Sequence, residues 1–229
     1  MTGLIAALDT TEIARAAAWG EQLAPSCGLF KLGLEYFLAN GAEGLKALRG
    51  HPVFLDLKLH DIPNTVAGAV RAVLPLEPRM LTVHASGGAA MVAAARRAAE
   101  QAGVERPLVL AVTVLTSLDA AALRATGVNA EPAEQVLRLA KLAIDAGADG
   151  LVCSAHEVPA LRANLDPTAV LVVPGIRPAG FPSGDQMRTM TPRDAVRAGA
   201  DYLVMGRAIL NHDSPEKVIE IVSGEINSA

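Results

Sequence analysis

The segment Val53-Phe54-Leu55-Asp56-Leu57-Lys58-Leu59-His60-Asp61 passes from an apolar run directly into a group of charges. Its apolar half has the length and composition of a buried strand. Because side chains alternate along a strand, Asp56 and Lys58 are expected on one side and Leu57 on the other. Together with Asp61, these charges crowd one strand end, which is costly unless they neutralise one another or serve chemistry. The group is either a structural ion-pair network or a lysine held as an ammonium by two carboxylates.

Seven further apolar segments alternate with helical stretches along the chain. The eight predicted strands are Leu4–Leu8, Leu29–Leu32, Val53–Leu57, Met80–Val83, Leu108–Val114, Gly150–Cys153, Val170–Val173 and Tyr202–Met205. Ala89–Ala102 and Ala133–Ala146 have helical periodicity, and Gly103 and Gly147 lie where these helices are expected to stop. Two pairs have the pattern of an N-cap before a first-turn proline, namely Thr191-Pro192 and Ser214-Pro215.

Eight strand–helix units in 229 residues predict an α/β protein that forms a single (β/α)8 TIM barrel over residues 1–229. An open, doubly wound sheet is the alternative. No Gly-x-Gly-x-x-Gly follows the first strand, which counts against a dinucleotide-binding version of that alternative. The sequence shows no linker, and we expect no second domain.

Composition limits which binding partners and which cellular compartment are expected for this chain. The net charge is −4 without a long basic run, so neither nucleic acid nor an anionic membrane surface is an expected partner. No apolar run reaches the length of a transmembrane helix, and the N-terminus lacks the basic segment of a signal peptide. Cys27 and Cys153 are isolated, which indicates reduced thiols in the core. These features predict a cytoplasmic protein.

Polar residues gather at the predicted carboxyl ends of the strands, where barrel enzymes place their active sites. They are Asp9, Lys31, Asp56, Lys58, Asp61, His84, Thr116, Ser117, Arg177 and Arg207, with Pro174 and Gly206 in the same loops as the two arginines. We expect His84 to be a rim histidine rather than a general base, while His60 either lines the site or packs beneath it. The opposite strand ends carry mostly Gly, Pro and surface charge, so the pattern predicts a site at one face.

The last two loops indicate the ligand. Arg177, Gln186 and Arg207 follow strands seven and eight, whose loops often bind phosphate in barrel enzymes. Arginine offers a fork of donors that matches phosphate, and Gly206 lets the backbone approach an anion closely. Each arginine taken alone is an ordinary surface residue, but their joint placement favours a phosphate site.

A metal site is the competing interpretation of the carboxylates. Asp9, Asp56 and Asp61 offer oxygen ligands of the kind that divalent cations take. Lys31 and Lys58 compete for the same space, so no metal is predicted.

Six motifs span nearly the whole chain in order. They are Ala7-Leu8-Asp9, Phe30-Lys31-Leu32-Gly33, Asp56-Leu57-Lys58-Leu59-His60-Asp61-Ile62-Pro63-Asn64-Thr65, Val112-Thr113-Val114-Leu115-Thr116-Ser117, Pro174-Gly175-Ile176-Arg177-Pro178 and Val204-Met205-Gly206-Arg207. Together they resemble the orotidine 5′-phosphate decarboxylase family, and Gly184-Asp185-Gln186 with Met190-Thr191-Pro192 is similar to its bacterial form. Asp-x-Lys-x-x-Asp is shared with metal-dependent sugar-phosphate relatives, in which an acidic ligand is expected where this chain has Lys31.

The resemblance implies a cofactor-free lyase that converts orotidine 5′-monophosphate to UMP and CO2 in de novo pyrimidine biosynthesis. It also implies a homodimer in which Asp61 and Thr65 reach the partner's active site. In this interpretation Lys58 stabilises the carbanion at C6 and protonates it, while Asp56 and Asp61 hold it as an ammonium. Lys31 extends the charge network. The implied substrate-binding residues are Asp9, Lys31, Asp56, Ile62, Thr65, Thr116, Pro174, Arg177, Gln186, Gly206 and Arg207.

Two other details follow from this interpretation. Asp9 is expected to bind the ribose hydroxyls, and Thr116, rather than its neighbour Ser117, the pyrimidine edge. The segment Pro178–Thr189 is expected to close over the phosphate as a lid.

Two alternatives remain open at this point. A metal-dependent sugar-phosphate decarboxylase or aldolase could use the same barrel, although Lys31 argues against it. A non-catalytic phosphate sensor is a different class, but a pure binder does not need Lys58 between carboxylates. The fold alone does not decide among them, because one fold hosts many chemistries.

Overall fold

A computed structural model describes residues 2–181 and 190–229. Eight parallel strands close into a barrel in sequence order, with β1 hydrogen-bonded to both β2 and β8. The strands are β1 Gly3–Ala7, β2 Leu29–Gly33, β3 Val53–Leu59, β4 Met80–His84, β5 Leu108–Val112, β6 Gly150–Val152, β7 Val170–Val173 and β8 Tyr202–Met205. The predicted single (β/α)8 barrel is therefore confirmed, and the open sheet is excluded.

Helices alternate with these strands and cover the outside of the barrel. In the described part of the chain they are α1 Ile13–Leu23, α2 Leu34–Lys46, α3 Pro63–Val73, α4 Ala89–Ala99, α5 Ala120–Ala125, α6 Pro132–Asp145, α7 Val158–Asn164, α8 Pro192–Ala198, α9 Arg207–Leu210 and α10 Pro215–Asn227. Short 3₁₀ turns occur at Leu74–Leu76, Ala85–Gly87, Glu100–Glu105 and Ala155–Glu157. None of the described helices has the length and apolar character needed to cross a membrane.

The element boundaries differ from the sequence expectations by two or more residues in three places, and elsewhere by at most one residue. Strand β3 runs two residues beyond the predicted Leu57, whereas β5 ends two residues before the predicted Val114. Helix α4 ends at Ala99, and the rest of its predicted length is the 3₁₀ turn Glu100–Glu105. The apolar pattern continues past the end of β5 because Thr113 and Val114 are buried as well.

The two predicted N-caps differ in their outcome. The Thr191 side chain accepts a hydrogen bond from the Asp194 N–H at 3.2 Å, as its position before Pro192 predicts. Ser214 occupies the N-cap position of α10 before Pro215, but its side chain makes no capping hydrogen bond. The prediction was right for the helix start and wrong for the serine cap.

Two apolar layers follow from the alternation of side chains along the strands. One fills the inside of the barrel; its members are Ile5, Ala7, Leu29, Phe54, Met80, Leu110, Val172 and Val204. The larger layer packs the outer faces of the strands against the helices. Cys27 and Cys153 are buried free thiols, and burial raises the pKa of Cys27 to about 12 and also raises that of Cys153. Both cysteines are core residues, as predicted.

Gly150 and Gly224 provide a matched test of where the barrel cannot accept a side chain. A Cβ at Gly150 in β6 would overlap the Val170 carbonyl oxygen of β7, while a Cβ at the exposed Gly224 of α10 meets nothing within 4 Å. Gly150→Ala should destabilise the fold by about 1–3 kcal/mol through overpacking. Gly224→Ala should stabilise it by about 0.5–1 kcal/mol, because glycine is costly inside a helix. Urea denaturation measures both changes. Equal stability of the two variants would contradict this account of the β6–β7 contact.

Candidate active site

A cavity of about 260 Å³ opens at the carboxyl ends of the strands. Nine residues predicted from the sequence line it, namely Asp9, Lys31, Asp56, Lys58, Thr116, Pro174, Arg177, Gly206 and Arg207. Its wall also includes apolar side chains from five strands, namely Ala7, Phe54, Val112, Val152 and Val204. The barrel thus places the predicted polar groups around one cavity with an apolar interior.

Four charges on neighbouring strands form an alternating series along one wall. Lys31 Nζ lies 3.5 Å from Asp9 Oδ1 and 3.7 Å from Asp56 Oδ2. Asp56 Oδ2 also accepts a hydrogen bond from Lys58 Nζ at 2.8 Å. Each carboxylate therefore faces an ammonium group, and Asp56 faces two.

Asp56 is the most buried member of this series, with 8% of its surface exposed. Burial raises the pKa of its carboxyl group, but the charges of Lys31 and Lys58 and the hydrogen bonds from Lys58 and Thr82 outweigh that effect. The pKa of Asp56 consequently lies below its ordinary value. The residue is an anion inside the cavity wall at neutral pH.

Lys58 reaches Asp56 through a bulge rather than through regular alternation. The pairing of β3 with β4 shifts between Leu55 and Leu59, and Lys58 has a left-handed backbone with φ of 49°. Its N–H donates to Thr82 Oγ1 at 2.8 Å, and the Thr82 hydroxyl donates to Asp56 Oδ1 at 2.9 Å. The sequence expectation that Asp56 and Lys58 converge was right, but its reason, an even strand, was wrong.

Thr82 is a buried polar residue that the sequence expectations do not include. It lies on β4 between apolar neighbours, in the run Met80-Leu81-Thr82-Val83. A lone threonine in such an apolar strand indicates a buried hydrogen bond, because a buried hydroxyl requires a partner.

The two arginines approach the cavity from the loops after β7 and β8. Arg177 Nη1 donates to the Ile176 carbonyl at 2.8 Å, and Ile176 forms a bridge with Met190. Gly206 precedes Arg207, and a Cβ at Gly206 would lie 3.1 Å from Asp9 Oδ2. A larger residue at position 206 would crowd that carboxylate, so glycine keeps this corner of the cavity open.

Three predicted site residues, Asp61, Ile62 and Thr65, do not line the cavity, and a fourth, Gln186, lies outside the described residues. Asp61 and Thr65 are exposed, and Ile62 is 67% exposed. Asp61 Oδ1 accepts a hydrogen bond from the Ile62 N–H at 2.6 Å, and within the described residues it forms no ion pair with Lys58. Gln186 and most of the predicted lid Pro178–Thr189 lie outside the described residues.

The rings of His60 and His84 lie beside the charge series, with centroids 5.3 Å apart and their planes tilted by 43°. Burial lowers the pKa of His84, and the nearby His60 and Lys58 lower it further, while Asp56 opposes the shift. Neither ring belongs to the cavity lining. His84 is therefore held neutral at the rim at pH 7.

Metal ligation is a poor fit to the same geometry. Across residues 2–181 and 190–229, no group of three or more His, Cys, Asp or Glu side chains could hold a metal ion. The carboxylate oxygens of Asp9 and Asp56 instead face ammonium groups. The donor set suits an organic substrate with charged groups.

The fold and the cavity define a (β/α)8-barrel protein with a charged site at the carboxyl ends of its strands. Residues 2–222 match the family described as "Orotidine 5'-phosphate decarboxylase / HUMPS family". The chain belongs to this family.

Similar proteins agree with this placement over the full chain. The orotidine 5′-phosphate decarboxylase of Gluconobacter oxydans strain 621H is 53% identical over 232 residues, covering 100% of this chain and 98% of that one. The protein of the same name from Anaeromyxobacter sp. strain K is 55% identical over 215 residues, covering 93% and 92%. These names denote carboxy-lyases, so the predicted class of enzyme is confirmed.

Solved structures give the same result for the fold. The crystal structure of orotidine 5′-phosphate decarboxylase from Lactobacillus acidophilus matches with a TM-score of 0.86 and 35% identity, covering 99% of this chain and 100% of that one. An uncharacterized conserved protein from Geobacillus kaustophilus matches with a TM-score of 0.86 and 32% identity, covering 98% and 100%.

Proposed function

We propose that this chain decarboxylates orotidine 5′-monophosphate to UMP and CO2 in de novo pyrimidine biosynthesis, without a cofactor. The observation that carries the proposal is the alternating series Asp9, Lys31, Asp56 and Lys58 in the cavity wall. Membership of the family and the names of relatives about half identical to the chain support the choice of substrate.

Loss of CO2 from C6 of the pyrimidine leaves a carbanion with no adjacent carbonyl group to delocalise its charge. A fixed cation at C6 stabilises that charge as it develops, most strongly where water is excluded. Lys58 is the proposed cation, and the same ammonium then protonates C6. Its 2.8 Å hydrogen bond to Asp56 supports this role, because it holds the ammonium in place before substrate binds.

Asp56 has two roles in the proposal. It positions Lys58, and it lies where the carboxylate of the substrate would approach the wall, so like charges repel in the bound state. Departure of CO2 relieves that repulsion. Only an interaction that becomes more favourable between the ground state and the transition state speeds the chemical step. The Asp56–Lys58 pair supplies two such changes, because repulsion by Asp56 is relieved as CO2 departs and attraction by Lys58 grows as the carbanion forms.

The neighbouring charges of the series orient the sugar. Lys31 is 14% exposed at its side chain and lies between Asp9 and Asp56. We assign Asp9, whose side chain is half exposed, to the ribose hydroxyls and Lys31 to the ribose side of the charge network. Thr116 and Pro174, which also line the cavity, are assigned to the pyrimidine.

The phosphate supplies binding energy at a distance from C6. Arg177, Gly206 and Arg207 line one cavity, and we assign the phosphate to them together with Gln186. Energy from such a remote group can offset the cost of holding the reacting carboxylate against Asp56.

A homodimer completes the proposed site. Asp61, Ile62 and Thr65 follow β3 and are exposed, outside the cavity of their own chain. Ile62 is a large apolar side chain with 67% exposure, which favours burial against a second chain. We infer that Asp61 and Thr65 enter the partner's active site, where Asp61 faces Lys58 of that subunit.

Spectroscopic assay with purified protein tests the reaction. Orotidine 5′-monophosphate should be consumed and UMP formed at the same rate with and without excess EDTA. Lys58→Ala should lower turnover at least about 100-fold, as expected for loss of one preorganised stabilising group, while UMP binding persists. Lys46→Ala, at an exposed ion pair on α2, is the matched control and should keep full activity. Activity on a sugar phosphate that requires magnesium, with none on orotidine 5′-monophosphate, would instead establish the metal-dependent alternative.

Arg207 provides a test of the phosphate assignment. Arg207→Ala should lower kcat/KM about 10- to 150-fold, because hydrogen bonds to charged groups contribute about 1.5–3 kcal/mol. The variant should leave kcat/KM for orotidine, which lacks the phosphate, at the wild-type value. Arg197→Ala, on the exposed face of α8, is the control. An equal loss on both substrates would remove Arg207 from the phosphate site.

Subunit mixing tests the shared site. Random exchange of Lys58→Ala with Asp61→Ala subunits gives heterodimers with one intact site, which should restore about a quarter of wild-type activity in a symmetric dimer. Mixing Lys58→Ala with Asp56→Ala should restore none, because both residues belong to the same chain's wall. No difference between the two mixtures, once exchange is shown, would refute sharing through Asp61.

A further inference from the structure

Thr82 connects the backbone of one proposed catalytic residue to the side chain of another. Its residue surface is 0% exposed, and it does not belong to the cavity lining. The hydroxyl oxygen accepts the Lys58 N–H at 2.8 Å, and the hydroxyl proton is donated to Asp56 Oδ1 at 2.9 Å. A single buried oxygen therefore touches both partners of the Asp56–Lys58 pair.

The strand register explains why Lys58 needs this partner. Leu55 pairs with Leu81 and Leu59 with Val83, so β3 uses four residue steps where β4 uses two. Thr82 alone stands opposite the bulged residues 56–58. Lys58 takes the left-handed conformation there, which is costly for a residue with a side chain and persists only when its surroundings fix it. The Thr82 hydroxyl replaces the backbone acceptor that a regular ladder would supply.

The same hydroxyl determines how the Asp56 carboxylate is shared. Oδ1 accepts the hydrogen bond from the Thr82 hydroxyl. Oδ2 is therefore left to face Lys58 Nζ at 2.8 Å and Lys31 Nζ at 3.7 Å. Without the first bond, the carboxylate could rotate about its Cβ–Cγ bond and change the position of the ammonium. The orientation of the charge series thus depends on a buried residue outside the cavity lining.

We propose that Thr82 is a positioning residue that sets Lys58 against C6 through these two hydrogen bonds, an inference that rests on the proposed function. A structural hydroxyl in the core would be expected to change stability and leave turnover by the folded enzyme unaltered. A positioning hydroxyl changes kcat, because small misplacement of a catalytic group is costly, and has little effect on KM.

Thr113, which directly follows the last residue of β5, offers a matched control. It is 4% exposed, and its hydroxyl has no hydrogen-bond partner within the described residues. Thr113→Val therefore makes the same exchange of hydroxyl for methyl, at comparable burial, without touching Asp56 or Lys58.

The test measures kcat, KM and thermal unfolding for Thr82→Val, Thr82→Ser and Thr113→Val with orotidine 5′-monophosphate. Thr82→Val should lower kcat about 10- to 100-fold with KM changed less than about 3-fold. Thr82→Ser, which keeps the hydroxyl, should restore kcat to within about 3-fold of wild type, and Thr113→Val should match wild type. A folded Thr82→Val enzyme with wild-type kcat would overturn the inference.

A second pair of variants decides the matter if Thr82→Val does not fold. Thr82→Ala and Thr82→Ser differ by the hydroxyl alone, so equal kcat in these two would overturn the inference. Folding of Thr82→Ser with failure of both hydroxyl-free variants would overturn it too, because the hydroxyl would then serve folding. Absence of turnover in the wild type is a separate result, which would overturn the proposed function and the inference with it.

Discussion

A buried carboxylate between two ammonium groups is the constraint around which the cavity is built. Burial alone would raise the pKa of Asp56, but the charges of Lys31 and Lys58 and the hydrogen bonds from Lys58 and Thr82 more than reverse that effect. Its folded pKa is below the ordinary value of about 4, so its contribution to stability is present above that value. The contribution is lost as the pH falls through the folded pKa. Neutralising either lysine would leave a buried charge without full compensation.

The barrel makes this arrangement possible by hydrogen-bonding three consecutive strands side by side. Lys31 comes from β2 and Asp56 from β3, and Gly33 pairs directly with Asp56 across the two strands. Asp9 follows β1 and meets Lys31 from the other side. Neighbouring parallel strands end at the same edge, so residues far apart in sequence alternate in charge there. Apolar side chains such as Phe54 and Val204 form the adjacent wall and strengthen these interactions by excluding water.

The strands and the cavity edge could be predicted from the sequence because apolar runs mark buried strands and the fold then fixes which ends meet. The bulge at Lys58 could not, since it depends on how β3 pairs with β4 and leaves no local signal in Asp56-Leu57-Lys58. For the same reason the role of Thr82 was missed. Its partners lie 24 and 26 residues away along the chain. The density of charged residues in the sequence also did not predict the position of Asp61. The chain turns after β3, and Asp61 accepts a local hydrogen bond from the Ile62 N–H.

Lys31 distinguishes this cavity wall from one that could bind a metal ion. Its ammonium lies within 4 Å of both Asp9 and Asp56, which is the space that a divalent cation would need to bind the same two carboxylates. An acidic residue at position 31 would turn this corner into three carboxylates, a set that is stable only with a metal ion or bound protons. With lysine there, the carboxylates are already neutralised, and the second ammonium, on Lys58, lies against the cavity. One side chain on β2 thereby decides whether the two carboxylates face an ammonium group of the protein itself or are left to bind a metal.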